Sequence, residues 1–246
     1  AIAPDITWND LRYSLMPGGV FKSQWATLLA GLGSAPPNTQ DQEVQEGLAQ
    51  GLSNNDLDED KQALLYRNSL ASHCADDNIF TAPGGLTQID SFITQSAQDT
   101  LFNFNDAFYN YQCVNALGGD VRFYIKSGGH GLDSGDGSEI CGGLGRTDAT
   151  VAWYREKLLH IAGAADVVPD ICIQLGPNQG DSVSPAEIAV GTGPEVTVTQ
   201  TGVVTGPSGS SPTYHVLYDG AVDGPNVLAG IATANVDLTD ALICDN

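Results

Sequence analysis

Basic residues are scarce in this chain of 246: Lys and Arg together number 9 against 30 Asp and Glu, a formal net charge of -21. Such a surface repels phosphate backbones and anionic headgroups, which sets aside nucleic acid and membrane surfaces as partners. Long hydrophobic runs are missing as well. No stretch approaches the roughly 20 apolar residues of a membrane-spanning helix, and no charged-then-apolar leader opens the chain. Zinc-type spacing is absent: Cys74, Cys113, Cys141, Cys172 and Cys244 form no C-x-x-C pair and do not alternate with histidine. No structural metal is expected. One or two disulfides in an oxidising compartment, or buried free thiols, remain open at this stage. The acidic, lysine-poor composition fits a secreted or saline setting as well as an ordinary solvated surface; it leans toward the extracellular without fixing it. Oligomeric state is not legible.

What is present is enough chain for one large domain, or a medium domain and a smaller one, each with its own core. The opening AIAPDITWNDL reads as a short strand stopped by Pro4 and Asp5 and followed by an aromatic loop. From about Lys22 to Ser72 the pattern is helical. Trp25, Leu28, Leu29 and Leu32, then Leu57, Leu64 and Leu65, recur at spacings of three and four around a Pro-Pro break, as in a helical insertion or cap. Between Ile89 and Ile125 the texture is strand, helix, strand. Phe92 and Ile93 mark the first strand. Asn103 caps a helix with the stripe Phe104, Ala107, Phe108, Tyr111 and Val114, with Asp106 at the capping-box position. Gly118 and Gly119 end it, and Val121 to Lys126 form the second strand, parallel to the first. A further helix is expected from about Asp148 to Ala162, capped by Thr147, with Val151, Tyr154, Leu158 and Ala162 on one side and Gly163 as its stop. Beyond Val167 the chain turns to Val, Thr, Gly and Pro with turn dipeptides such as Gly193-Pro194 and Asp219-Gly220, which is all-β punctuation. The expected organisation is an α/β part over 1–165, with a helical cap over about 22–72, and a partial β-sandwich over 166–246.

In a parallel sheet, functional groups gather beyond the carboxyl ends of the strands. Asp99 follows the first strand of the unit in FITQSAQDTLF, and His130 follows the second in FYIKSGGHG. Neighbouring parallel strands would bring both loops to one rim although 31 positions separate the residues. There an acid can fix the tautomer of a histidine and steady the imidazolium formed when the ring takes a proton from a serine. Gly128, Gly129 and Gly131 would let the backbone bend and keep the ring accessible.

The segments ITQSAQDTLFNFNDAFYNYQ and GGDVRFYIKSGGHG closely resemble the acid and histidine segments of the Xaa-Pro dipeptidyl-peptidase and cocaine-esterase-like family of α/β-hydrolases. The opening AIAPDITWNDLRYSL is similar to the strand and cap entry that this family places after its nucleophile helix. The useful motifs cover about the first two-thirds of the chain. Ser96 stands where the family usually has glycine, and Asp90 where it often has proline. The resemblance implies the chain order Ser, Asp, His followed by a jelly-roll domain, with Asp99 and His130 catalytic, no cofactor, and a small peptide or ester as substrate. No G-x-S-x-G elbow occurs: Ser53, Ser134, Ser138, Ser182 and Ser208 each lack a glycine on one flank. The expectation is therefore a C-terminal fragment whose nucleophilic serine, with its oxyanion-hole donor, lies upstream of Ala1, leaving the isolated chain inactive. The rival expectation is a noncatalytic hydrolase-like protein that uses its β-rich module to bind a glycan or protein.

Other features read as structural. Asp56, Asp58 and Asp60 begin like a calcium loop, but Lys61 and Arg67 break the template, so a solvated helix start is expected. Asp133, Asp136 and Glu139 fit no cation template. Trp8, Tyr13 and Trp25 are candidates for an apolar pocket beneath the cap or for plain core packing. His73, His160 and His215 carry no supporting motif, with His160 expected on the helix face, and Tyr214 and Tyr218 have strand spacing.

Overall fold

The computed structural model describes residues 1–34, 40–76, 86–130, 143–175, 182–188 and 190. Within them the chain is a mixed α/β protein built on a four-stranded, mostly parallel sheet. Strands β1 (Ser91–Ser96), β2 (Val121–Lys126) and β3 (Ile171–Gln174) run parallel in that order, and β4 (Ser182–Val183) pairs antiparallel with β3. Strand β1 is buried on both faces and β2 nearly so, as expected of parallel strands covered by helices. The register runs from Ser91 opposite Val121 to Ser96 opposite Lys126, so β1 and β2 end level with each other. The opening segment adds parallel bridges from Ile2 to Ser91 and from Asp5 to Thr94 along the free side of β1.

Helix α6 (Phe104–Ala116) connects β1 to β2, capped by the Asn103 side chain as expected. Phe104 and Tyr111 stack on Phe123 of β2. On the opposite face, Phe92, Tyr124 and Cys172 pack against Ala149 and Trp153 of α7 (Arg146–Lys157) and against Ala165 and Val168. Asp106 does not close a capping box. Its carboxylate turns toward the opening segment and accepts from the Asn9 and Asp10 amides and the Ser14 hydroxyl, because those donors are buried and need an acceptor.

Five α-helices precede β1 in the described chain: α1 (Leu11–Leu15), α2 (Ser23–Gly33), α3 (Gln42–Asn54), α4 (Glu59–Arg67) and α5 (Leu70–Cys74). The stretch expected to be helical is therefore helical, with α1 just ahead of it. Its buried stripe differs in part from the expected one: in α2 Trp25 and Leu29 pack against Leu15, Leu101 and Phe102 and the buried residues are Ala26 and Ala30, while Leu28 and Leu32 are exposed. Asp58 caps α4 by accepting from the Lys61 amide, with Glu59 and Asp60 in the first turn, where carboxylates favour the helix dipole. The acidic run is thus a helix start. A Cys74–Cys113 disulfide ties α5 to α6, and Cys172 is disulfide-bonded too.

Two expectations need correction. Helix α7 starts at Arg146 with Gly145 as its cap and ends at Lys157, so Thr147 is inside it and His160 lies beyond it with a positive φ of 56°. Its inward residues are Ala149 and Trp153; Val151 and Leu158 are exposed. The second concerns the boundary at 165: β3 hydrogen-bonds onto β2, and the first compact unit runs through Ala186, with the second spanning Glu187–Asn246. Of that second unit residues 187, 188 and 190 are described. The expected β-sandwich, with His215, Tyr214 and Tyr218, thus lies largely outside the described residues, as do Gly131, Asp133, Asp136, Glu139, Cys141 and Cys244. Among the described residues no helix is long and apolar enough to cross a membrane.

Candidate functional site

The level ends of β1 and β2 deliver their loops side by side. Hydrogen bonding continues past both strands, with the Ala97 amide donating to Lys126 O (2.8 Å) and the Gln98 amide to Gly128 O (2.9 Å). Gly128 takes a φ of 113°, a value closed to most side chains, and the chain turns there toward His130. The two sequence-predicted site residues meet at this rim: His130 Nδ1 lies 2.8 Å from Asp99 Oδ2.

Asp99 is held on all sides. Its Oδ1 accepts from the amides of Leu101 (2.7 Å) and Phe102 (3.0 Å), the local turn that a short acidic side chain makes with the backbone two and three residues on. Its Oδ2 faces His130 and, at 3.5 Å, the Gln95 side-chain amide, which also donates to Phe102 O at 2.8 Å. The Asp99 side chain is fully buried, while that of His130 retains 19% exposure. An ionised carboxylate only accepts, so this contact calls for a proton on Nδ1, and in the neutral form of the ring Nε2 then carries the lone pair.

Aromatic rings frame the histidine. Trp25 of α2 and Phe102 of the acid loop each approach the imidazole edge-on with centroids 5.2 Å away. Trp8 packs on Phe102 and donates its indole N–H to Asn68 O. Of the three aromatics weighed from the sequence, Trp8 and Trp25 join this cluster. Tyr13 stands half exposed, its hydroxyl accepting from the Asn103 amide group. Phe102 and Lys22 were not singled out. Phe102 had a local signal, lying three residues after the acid, whereas Lys22 reaches the acid loop from 78 positions away and leaves no trace in any window.

No family model and no curated protein matches this chain. The chemistry open to the site follows from the arrangement itself. An imidazole oriented by a buried acid, with its second nitrogen unprotonated, is equipped to take a proton from a hydroxyl or water and return it to a leaving group. The described residues contain no cluster of His, Cys, Asp and Glu that could hold a metal ion. His73 lies in α5, and His160 follows α7.

Proposed function

We propose that this chain supplies the acid and the base of a serine hydrolase of the acyl-transfer type, similar to the Xaa-Pro dipeptidyl-peptidase and cocaine-esterase-like enzymes. Asp99 orients, and His130 serves first as general base and then as general acid. The single observation that carries the reading is the 2.8 Å contact between His130 Nδ1 and a fully buried Asp99 at the carboxyl ends of adjacent parallel strands. The nucleophile in this reading is a serine upstream of Ala1, and the substrate a small peptide or ester. The same resemblance assigns the β-rich stretch toward the C-terminus, which lies largely outside the described residues, to the partial jelly-roll-like module of such enzymes. Disulfides at Cys74–Cys113 and Cys172 favour an oxidising, extracytoplasmic setting.

Activity assays on the longer protein that includes the upstream segment test this. Hydrolysis of a p-nitrophenyl ester or an Xaa-Pro p-nitroanilide, lost by orders of magnitude in His130→Ala with the fold retained, is the expected result. Their relative rates separate esterase from peptidase. The absence of a G-x-S-x-G elbow from the sequence favours a second reading, a noncatalytic hydrolase-like binding protein. That reading prevails if the longer protein also lacks a reactive serine and turns over neither substrate.

A further inference from the structure

We propose that Lys22 is a positioning residue for the Asp99–His130 pair, gripping from the foot of cap helix α2 the two peptide units whose N–H groups hold the carboxylate. Lys22 Nζ donates to Thr100 O at 2.8 Å and to Leu101 O at 3.3 Å. The peptide unit that begins with Thr100 O ends in the Leu101 N–H, and the one that begins with Leu101 O ends in the Phe102 N–H. These are the two amides that donate to Asp99 Oδ1. Each peptide plane therefore has a cation at its carbonyl and the anion at its N–H, so the two bonds strengthen each other.

The arrangement answers a physical need. A fully buried carboxylate is costly without compensation, and among the described residues the ion pair of Asp99 is with His130. Lys22 supplies positive charge without crowding the oxygen that the imidazole uses. Burial pushes its ammonium down, while Asp106 of α6 and Asp99 push it back up. The charged groups around Lys22 are thus Asp99 and Asp106, with His130 beyond Asp99. Asp106 is already engaged by the Asn9 and Asp10 amides and by Ser14. Trp25, three residues on, packs against the imidazole. The start of α2 consequently touches the loop that holds the acid, through Lys22, and the imidazole, through Trp25, and cap position is conveyed to the acid loop through Lys22.

The consequence for turnover rests on the hydrolase reading, whereas the test reads the pair itself. In the ¹⁵N-histidine-labelled chain, Lys22→Met should weaken or abolish the downfield Nδ1–H resonance shared with Asp99. It should also move the His130 titration midpoint by about half a pH unit or more. Lys22→Arg, which keeps charge and donors, should restore both, and Asp106→Asn should leave the Nδ1–H resonance in place. Unchanged resonance and midpoint in Lys22→Met overturn the proposal, and so does a change that Lys22→Arg fails to restore. If Lys22→Met loses the fold by circular dichroism, Lys22→Gln, with one neutral donor, is judged by the same two readings. A reactive serine in the longer protein with an unmoved titration defeats the Lys22 proposal alone; a moved titration without any hydrolysis defeats the hydrolase reading alone.

Discussion

Asp99→Asn changes one atom of the pair and inverts its proton logic. The two backbone amides at Oδ1, at 2.7 and 3.0 Å, accept no substitute for an oxygen, so the new amide must turn its carbonyl toward them. Its NH₂ then stands where Oδ2 was, facing His130 Nδ1 at 2.8 Å and the Gln95 side-chain donor. Two donors cannot share that contact. The imidazole shifts to the tautomer with its proton on Nε2, and Nδ1 becomes the acceptor. A ring with its Nε2 protonated cannot take a proton from a nucleophile. The loss of turnover should be about 10⁴-fold, or ~5.5 kcal/mol of transition-state stabilisation. The fold should lose less, about 1–3 kcal/mol, for replacing a charged acceptor by a neutral one and leaving the Gln95 amide short of a partner. Turnover is read on the longer protein and the tautomer on the chain itself, from the ¹⁵N shifts of the two ring nitrogens. A variant that keeps the Nδ1–H tautomer, or turns over within tenfold of the parent, refutes the reasoning.

Four further outcomes follow from the fold. A Cβ at Gly119 would fall on the backbone carbonyl of Ile89, where nothing can yield, so Gly119→Ala should cost about 1–3 kcal/mol in urea denaturation. Gly31→Ala, in helix α2 with open space around it, should instead gain about 0.5–1 kcal/mol, and equal effects of the two would contradict the packing account. Replacing Cys74 and Cys113 together by serine opens a loop of 39 positions, which should cost about 4 kcal/mol of stability; an unchanged urea midpoint would contradict the staple. Burial raises the Asp106 carboxyl above its ordinary value. The stability linked to this group is therefore full below the unfolded value and falls as pH rises through the raised folded value. The parent minus Asp106→Asn stability difference should accordingly shrink with rising pH across that window, and a flat or rising difference would reverse the sign argued here.

The parts of the fold that were legible are those where several local signals agreed. Asn103, the apolar stripe behind it and the Gly118-Gly119 stop predicted α6 closely, and β2 falls where its apolar residues placed it. The meeting of Asp99 and His130 followed from parallel strands ending level, a property of topology that a strand-helix-strand pattern carries. Helix α7 misled because Val151 points to solvent and Leu158 is an exposed C-cap, so that of the expected stripe Tyr154 alone lies in the helix and packs on the core, beside the buried Ala149 and Trp153. Helix α2 misled in part: Trp25 and Leu29 of the expected stripe pack inward, but Leu28 and Leu32 face solvent, and the buried positions are Ala26 and Ala30. Strand β3 was hidden by its length of four residues and by the β-rich composition that surrounds it. Lys22 was invisible for a different reason, since its role depends on a contact across the fold and no local pattern encodes it.

The rate at which a fluorophosphonate labels the longer protein measures the central claim most directly. One serine upstream of Ala1 should react, and His130→Ala should slow that reaction by about 10³-fold or more while the fold persists. Equal labelling rates in the two proteins, or a folded longer protein with no labelled serine, would contradict the account.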